Sequence, residues 1–154
     1  MEHQNYHCGI TANIPVNEAI AGVNNVAAWW TENFSGSTAK IGDVFNVPFG
    51  ETFGTFKVID VVDGQKLLWQ VIDCNMHFLK NKKEWQDTQI LWEFKPVGKS
   101  TEIKMTHIGL TPALECFEDC TGGWDHYVKG SLFKLLNEGK GVPDHEDYSA
   151  KNKQ

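Results

Sequence analysis

The stretch ECFEDCTGGWDHYVKGSLFKLLNEGKG, residues 115–141, decides the fold, because it is the only long segment with the spacing of a helix. We predict a helix from about Glu115 to Asn137, and Gly139 follows it as a stop signal. At about 100° per residue, an unbroken helix brings one set of side chains onto a single stripe, with His126 on nearly the opposite side. That stripe comprises Cys116, Cys120, Trp124, Tyr127, Ser131 and Leu135.

The segments before this helix favour strands and two short helices. A first strand runs from Tyr6 to Ile14, and short helices follow in VNEAIAGVN and in VAAWWT, the second of which Asn25 can cap. Period-two alternation then predicts antiparallel strands, and an Asp63-Gly64 turn joins two of them into a hairpin. The strand segments are DVFNVPFG, TFGTFKVIDVV, KLLWQVID, TQILWEFKP and TEIKMTHIGL.

An antiparallel sheet with one apolar face needs a cover, and the long helix is the element able to supply it. The order therefore predicts an α+β fold: an antiparallel sheet of about six strands, with two short helices and a long C-terminal helix packed over it. A chain of 154 residues fits one domain, residues 1–154, and we expect the polar tail of residues 140–154 to fray.

Charge and composition limit the classes of molecule that we expect this protein to bind. The formal net charge is -6 and all 14 basic residues are lysine, whereas arginine is the usual residue for bidentate contacts to phosphate and guanine. We therefore expect neither nucleic acid nor a membrane as a partner. The sequence shows no basic and apolar leader and no apolar run of bilayer length, so the cytoplasm is the expected location.

Five stretches, in this order along the chain, carry a family resemblance: WWTENFSGS, TFGTFKVIDVVDGQKLLWQVID, EWQDTQILWEF, TEIKMTHIGL and the closing helix segment. They resemble the START-like, Bet v 1-like (SRPBCC) superfamily. More narrowly, they are similar to its small bacterial proteins grouped with the activator of Hsp90 ATPase homologues (AHSA1-like). The resemblance implies the helix-grip fold, in which a curved sheet holds the long helix.

The resemblance also implies a ligand between sheet and helix. Members of the superfamily bind lipids, hormones, polyketides or flavonoid-like molecules, and some are cyclases or aromatase-like enzymes. Activation of Hsp90 is not carried over, because in the longer co-chaperone a separate N-terminal domain makes much of the chaperone contact, and this sequence does not contain it.

The four cysteines are Cys8, Cys74, Cys116 and Cys120, and without a secretory leader they are expected to be free thiols. Cys116 and Cys120 lie four residues apart, which favours small core residues at the start of the helix. A zinc site needs ligands that converge on one point, and His126 on the far side cannot join these thiols. A redox-active pair is the alternative, with poor bridging geometry. We expect no metal and no cofactor.

Aromatic residues give the strongest compositional signal, with six tryptophans and nine phenylalanines. His107 alternates with Ile103 and Met105, so it is expected to face the interior. It is either a core histidine satisfied by a neighbour or the polar group that orients a ligand. The candidate ligand-binding residues are Phe45, Phe56, Trp69, Trp92, His107, Trp124, Tyr127 and Ser131.

Three functions are compatible with these features. The first is non-catalytic binding of a small hydrophobic molecule, aromatic or lipid-like, between sheet and helix. The second is a cyclase- or dehydratase-type enzyme that uses His107 and Asp73 as acid-base residues, since period two turns Asp73 inward if Trp69 faces inward. The third is a protein-interaction module, stress- or chaperone-related, or a homodimer contact, for which Phe133 on the outer side of the helix is the candidate.

Overall fold

The computed structural model describes residues 5–144, in which seven strands form one curved antiparallel sheet. The strands are β1 (Tyr6–Ala12), β2 (Ser35–Gly36), β3 (Val44–Phe49), β4 (Thr52–Val62), β5 (Lys66–Asn75), β6 (Gln89–Val97) and β7 (Ser100–Ile108). Their spatial order is β1-β7-β6-β5-β4-β3-β2. From β2 to β7, neighbouring strands in the sheet are consecutive in the chain, whereas β1 pairs with β7.

Two short helices, α1 (Val16–Asn24) and α2 (Val26–Trp29), connect the first two strands. The long C-terminal helix consists of α3 (Phe117–Trp124), a π-helical segment (Asp125–Leu132) and α4 (Phe133–Glu138). It ends at Gly139, which has a left-handed backbone with φ of 84°, the conformation that glycine adopts at helix ends. The predicted α+β helix-grip architecture is confirmed.

Two local predictions differ from the structure. The sheet has a seventh strand, because Ser35 and Gly36, which lie between the predicted helix VAAWWT and the predicted strand DVFNVPFG, pair with Asn46 and Phe45. Asn25 precedes α2 but its side chain makes no capping hydrogen bond. Two residues cannot show an alternating pattern, so the short strand carries no sequence signal.

A β-bulge reverses the predicted direction of Asp73. Between Phe56 and Thr55 on β4, the pairing on β5 passes from Val71 to Asp73, so one extra residue lies on β5. Beyond the bulge Cys74 is fully buried and Asp73 faces outward, where its carboxylate accepts a hydrogen bond from Lys83 Nζ at 2.7 Å. The prediction that Asp73 points inward with Trp69 was therefore wrong.

The π-helical segment changes which side chains the long helix buries. The backbone N–H of Phe133 bonds to the carbonyl of Val128, five residues earlier, which is the hydrogen bond of a wider helical turn. Wider turns keep a spacing of four residues on the inner face, and the buried side chains there are Cys116, Cys120, Trp124, Val128, Leu132 and Leu136, with Ser131 beside them. Tyr127 and Leu135, which a regular helix would bury, are only half-buried.

Residues 140–144, the first part of the tail expected to fray, pack against α2. The Ser131 hydroxyl donates a hydrogen bond to the carbonyl of Trp29 at 2.7 Å and accepts one from the backbone N–H of Val142 at 2.7 Å. Ser131 thus anchors this segment to the core. The remainder of that predicted tail, residues 145–154, lies outside the described residues.

Candidate functional site

An apolar cavity of about 140 Å³ lies where the start of the long helix faces the β3–β4 hairpin. Its walls come from the residue after α2, from β3 and β4, from the loop of residues 76–88 and from α3. The lining residues are Trp30, Val47, Phe49, Thr52, Phe53, Gly54, Phe56, Met76, Phe78, Trp85, Asp119, Cys120 and Trp124. We call this space the hairpin–helix cavity.

The hairpin–helix cavity is apolar in its depth and open at its mouth. Trp30, Phe56 and Trp124 are all at most 5% exposed, whereas two other lining residues reach the solvent: Phe78 is 52% exposed and Asp119 is also exposed. Gly54 makes room for the wall, because a Cβ atom at this position would lie 2.9 Å from Cε1 of Phe56. The site thus combines an aromatic interior with a carboxylate at the entrance.

The deep wall is a continuous stack of aromatic rings. Trp85 and Trp124 are parallel within 3° with centroids 6.0 Å apart, and Trp30 lies 4.9 Å from Trp124. Phe56 continues the wall at 5.5 Å from Trp30. Ring pairs at these separations stabilise one another beyond the burial of their area, so the wall is preorganised.

His107 lies behind this aromatic wall and is hydrogen-bonded to it. Trp124 Nε1 donates a hydrogen bond to His107 Nδ1 at 3.0 Å, and because an indole N–H can only donate, Nδ1 must be unprotonated. The proton of the neutral ring is then on Nε2, which donates to Thr88 Oγ1 at 2.9 Å. Thr88 in turn donates to the carbonyl of Trp85 at 2.6 Å. One chain of hydrogen bonds therefore fixes both stacked tryptophans.

The environment of His107 keeps it neutral. Burial lowers the pKa of His107 to about 3, because the charged form would lose its hydration. Protonation at Nδ1 would also set two donors, His107 and Trp124, against each other. The expectation that His107 faces the interior is confirmed, and its two ring nitrogens are satisfied by neighbours.

A second aromatic layer lies behind Phe56 and Trp30. Trp69 and Trp92 are fully buried with ring centroids 5.6 Å apart, and Trp29 contacts Trp92 at 5.8 Å. Within residues 5–144, the indole N–H groups of Trp69 and Trp92 find no acceptor, whereas Trp29 Nε1 donates to a backbone carbonyl at 3.0 Å. Unpaired buried donors are costly, so these two indole groups offset part of the stability that the packing of this layer provides.

The two helix cysteines form part of the aromatic wall rather than a reactive pair. Trp85 Nε1 donates to Cys116 Sγ at 3.4 Å, and Cys120 lines the cavity. A hydrogen bond with the Cys116 thiol, together with burial, raises the pKa of Cys120. A thiol that stays protonated is a weak nucleophile, so Cys120 acts here as a small apolar residue, and Cys116 is fully buried beside it.

The structure separates the residues predicted to bind a ligand. Phe56 and Trp124 line the hairpin–helix cavity, and Tyr127 lies outside it with its ring 5.9 Å from that of the lining residue Phe49. His107 stands behind the wall, and Ser131 anchors the tail segment. The remaining predicted residues, Phe45, Trp69 and Trp92, belong to the buried layer behind the cavity.

Several lining residues were not predicted. Trp85, Met76 and Phe78 come from a lysine-rich segment that reads as a solvated loop, although its large apolar side chains were a usable signal. Phe49 could have been found from its alternation with Phe45 on β3. The sequence offered no comparable indication for Phe53, because TFGTFKVIDVV does not alternate cleanly between apolar and polar residues.

The acid-base pair of the enzyme hypothesis does not form. His107 is fully buried on the inner face, whereas Asp73 is half-exposed on the outer face and forms an ion pair with Lys83 at 2.7 Å. No ligand can contact both groups at once. This observation removes the mechanism that the sequence suggested for a cyclase or dehydratase.

A larger open hollow, about 860 Å³, spreads over residues of β1, β7 and β6. In this region the pairing of β6 with β7 places Lys104 opposite Glu93, and the pairing of β5 with β6 places Glu93 opposite Lys66. Charges of alternating sign across a sheet face are typical of a solvated surface that resists edge and face association. This hollow lacks the enclosed apolar walls of a ligand site.

Two further findings concern metals and membranes. Among residues 5–144, no group of three or more His, Cys, Asp or Glu side chains is arranged to hold a metal ion. In the same part of the chain, no helix is both long and apolar enough to cross a membrane.

Phe133 on α4 is 39% exposed and lies on the outer side of the helix, as predicted. The hypotheses of a protein-interaction module and of a homodimer stay predictions.

The curved sheet, the long helix against it and the cavity between them define a START-like protein of the helix-grip class. Residues 16–137 match the sequence profile of the family described as Activator of Hsp90 ATPase homolog 1-like protein. The chain therefore belongs to this family. A search of curated proteins returns no significant match.

Solved structures with the same fold include three useful comparisons. The Aha1 dimer from Colwellia psychrerythraea is 20% identical with a TM-score of 0.73, and the match covers 90% of this chain and 99% of that one. DynU16, a putative protein in the dynemicin biosynthetic locus, is 20% identical with a TM-score of 0.69, over 91% of this chain and 50% of that one. Protein SSP2350 from Staphylococcus saprophyticus is 12% identical with a TM-score of 0.68, and the match covers 90% of this chain and 96% of that one. At these identities the likeness concerns the fold.

Proposed function

We propose that this protein binds a small hydrophobic molecule in the hairpin–helix cavity and that the bound part is a single aromatic ring or a short alkyl segment. The observation that carries the proposal is an aromatic cavity of about 140 Å³ between sheet and long helix, the location where members of this superfamily bind ligands. Binding without catalysis is favoured because His107, the buried histidine behind the aromatic wall, uses both ring nitrogens within the protein.

The volume of the cavity limits the ligand. Typical pockets for whole drug-sized ligands measure about 300–1,000 Å³. The hairpin–helix cavity, at about 140 Å³, is smaller than this range. Apolar cavities of about 150 Å³ in other proteins stay dry and bind benzene. A flavonoid or a fatty acid would therefore insert one ring or its terminal carbons and leave the remainder outside the mouth.

The roles of the lining residues follow from their positions. Phe56, Trp124, Trp30 and Trp85 would supply affinity through apolar contact, since about 25 cal/mol is gained per Å² of apolar surface removed from water. His107 would contribute by holding Trp124 and Trp85 in their stacked arrangement rather than by touching the ligand.

Titration with toluene, followed by tryptophan fluorescence, tests the proposal. We expect saturable binding, and weaker binding of palmitate and of a flavonoid, because only part of each fits. Cys120→Leu is expected to abolish toluene binding, since the larger side chain extends from the cavity wall into the space.

Val97→Leu is the matched control, because it adds apolar volume at a position that is 48% exposed on β6, outside the residues that line the cavity. The control should leave the toluene affinity unchanged, and urea unfolding should show that both variants are folded. Non-saturable signals, or equal affinities in Cys120→Leu and the parent protein, would refute binding at this site.

A further inference from the structure

We infer that the ligand of the hairpin–helix cavity is a small organic ammonium compound, with its apolar part in the cavity and its cationic nitrogen at the mouth. This inference rests on the proposed function and narrows it to a class of ligand. It is carried by three features of the site as residues 5–144 form it: aromatic rings, one exposed carboxylate and a lining without a lysine.

The first feature is the density of aromatic rings. Seven of the lining residues, the three tryptophans and four phenylalanines named above, are aromatic. The face of an aromatic ring carries partial negative charge, so cations within about 6 Å of a ring centroid are attracted, most strongly by tryptophan. Of these rings, those of Phe49 and Phe53 are partly exposed and that of Phe78 is exposed, so they can contact a cationic nitrogen at the mouth.

The second feature is Asp119, the one carboxylate among residues 5–144 that lines the cavity. It lies in the first turn of α3 and is exposed, as is Phe78, another lining residue, which is 52% exposed. Within the described residues, Asp119 forms no ion pair with a lysine or histidine. Its charge is therefore free to face a cation at the entrance.

The third feature is the distribution of lysines. Within residues 5–144, no lysine lines the cavity, although the neighbouring loop contains several. Lys82 Nζ donates to the carbonyls of His77 and Leu79 at 2.6 and 2.7 Å, and Lys83 pairs with Asp73. Both ammonium groups are engaged by partners in the protein and neither lysine lines the cavity, so the entrance favours positive charge over negative charge in a ligand.

An isosteric pair of probes isolates the role of the charge. Phenyltrimethylammonium and tert-butylbenzene have the same shape and differ in one atom, a cationic nitrogen in place of a carbon. Both are titrated into the full chain at low ionic strength, and the dissociation constants are obtained from tryptophan fluorescence. The ratio of the two constants in each variant reports on the charge, because effects on the shape of the cavity cancel.

Asp119→Asn removes the rim charge with little change of shape, and Glu118→Gln is the control with the same change of charge on an exposed neighbour outside the lining. Asp119→Asn should weaken phenyltrimethylammonium binding about two- to five-fold, the range of an exposed ion pair, and leave tert-butylbenzene unaffected. Phe78→Leu keeps the apolar contact but removes the ring, and should weaken only the cation, also about two- to five-fold.

The outcomes separate this inference from the proposed function. Suppose that tert-butylbenzene saturates the site but the ratio of the dissociation constants of the two probes is the same in Asp119→Asn and Glu118→Gln. The ammonium inference then fails and hydrophobic binding stands. If neither probe saturates, both fail. A selective loss of cation binding in Asp119→Asn and Phe78→Leu, which diminishes as salt is raised to about 0.15 M, supports the inference.

Discussion

The buried, neutral His107 predicts a specific dependence of stability on pH. In the folded chain its pKa is lowered to about 3, whereas in the unfolded chain the pKa returns to the ordinary value for histidine, 6.5. Between these values the unfolded state binds a proton that the folded state does not, so stability falls as the pH is lowered. The loss begins near pH 6.5 and levels off below pH 3.

The magnitude follows from the two pKa values. One pH unit of differential protonation corresponds to about 1.36 kcal/mol, so lowering the pH from about 8 to about 4.5, two units below the unfolded pKa, removes about 2.7 kcal/mol. For a small domain this is a large share of a total stability of about 5–15 kcal/mol.

The assay is urea unfolding of the parent chain and of His107→Gln across this pH range. Glutamine can accept and donate hydrogen bonds but does not take up a proton, so the difference between the two free energies of unfolding isolates the histidine. The pKa values of Asp43 and Asp73 are also lowered, by hydrogen bonds from Ser37 and Lys83, and both destabilise the fold in acid. Their effects are shared by both proteins and cancel.

The difference in free energy, parent minus His107→Gln, should fall by about 2.7 kcal/mol between pH 8 and pH 4.5. His126→Gln, at an exposed histidine on the same helix as Trp124, is the control for the substitution itself. A difference that stays constant with pH would refute the reasoning, because His107 would then titrate equally in both states.

Four further predictions concern packing, thiols and assembly. Trp29→Phe should cost about 1–3 kcal/mol more than Trp69→Phe in urea unfolding, because only the first breaks an indole hydrogen bond; equal costs would contradict this. Gly141→Ala should lower the melting temperature, since the new Cβ would collide with the carbonyl of Ala28, and an unchanged value would count against that contact. All four cysteines are buried, so dithiobis(nitrobenzoate) should react only as the chain unfolds, not immediately. The homodimer hypothesis predicts that Phe133→Lys lowers the mass measured by light scattering; an unchanged mass would remove it.

The fold could be predicted because its signals are local and repeated. Alternation set Ile90, Trp92 and Phe94 on one face of β6, and all three are buried. The Asp63-Gly64 turn joined two long strands, and Gly139 ended the helix. Each of these features depends on a few neighbouring residues, and each agreed with the same architecture.

The site was harder to predict because it depends on departures from regular geometry. One extra residue in β5 turned Asp73 outward, and the π-helical segment replaced Tyr127 with Val128 on the inner face. Neither irregularity leaves a periodic trace in the sequence. Trp85 comes from a loop, and a loop residue is brought to a cavity by tertiary contacts, here the hydrogen bonds that run through Thr88 and His107.

Binding in the hairpin–helix cavity is tested most directly by the indole N–H resonances in nitrogen-15 NMR spectra during a toluene titration. The six tryptophans are natural reporters, since Trp30, Trp85 and Trp124 line the cavity and Trp29, Trp69 and Trp92 do not. We predict saturable shifts for the three lining tryptophans, with markedly smaller shifts for the other three. Spectra in which no resonance moves, or in which all six move alike without saturation, would contradict ligand binding at this site.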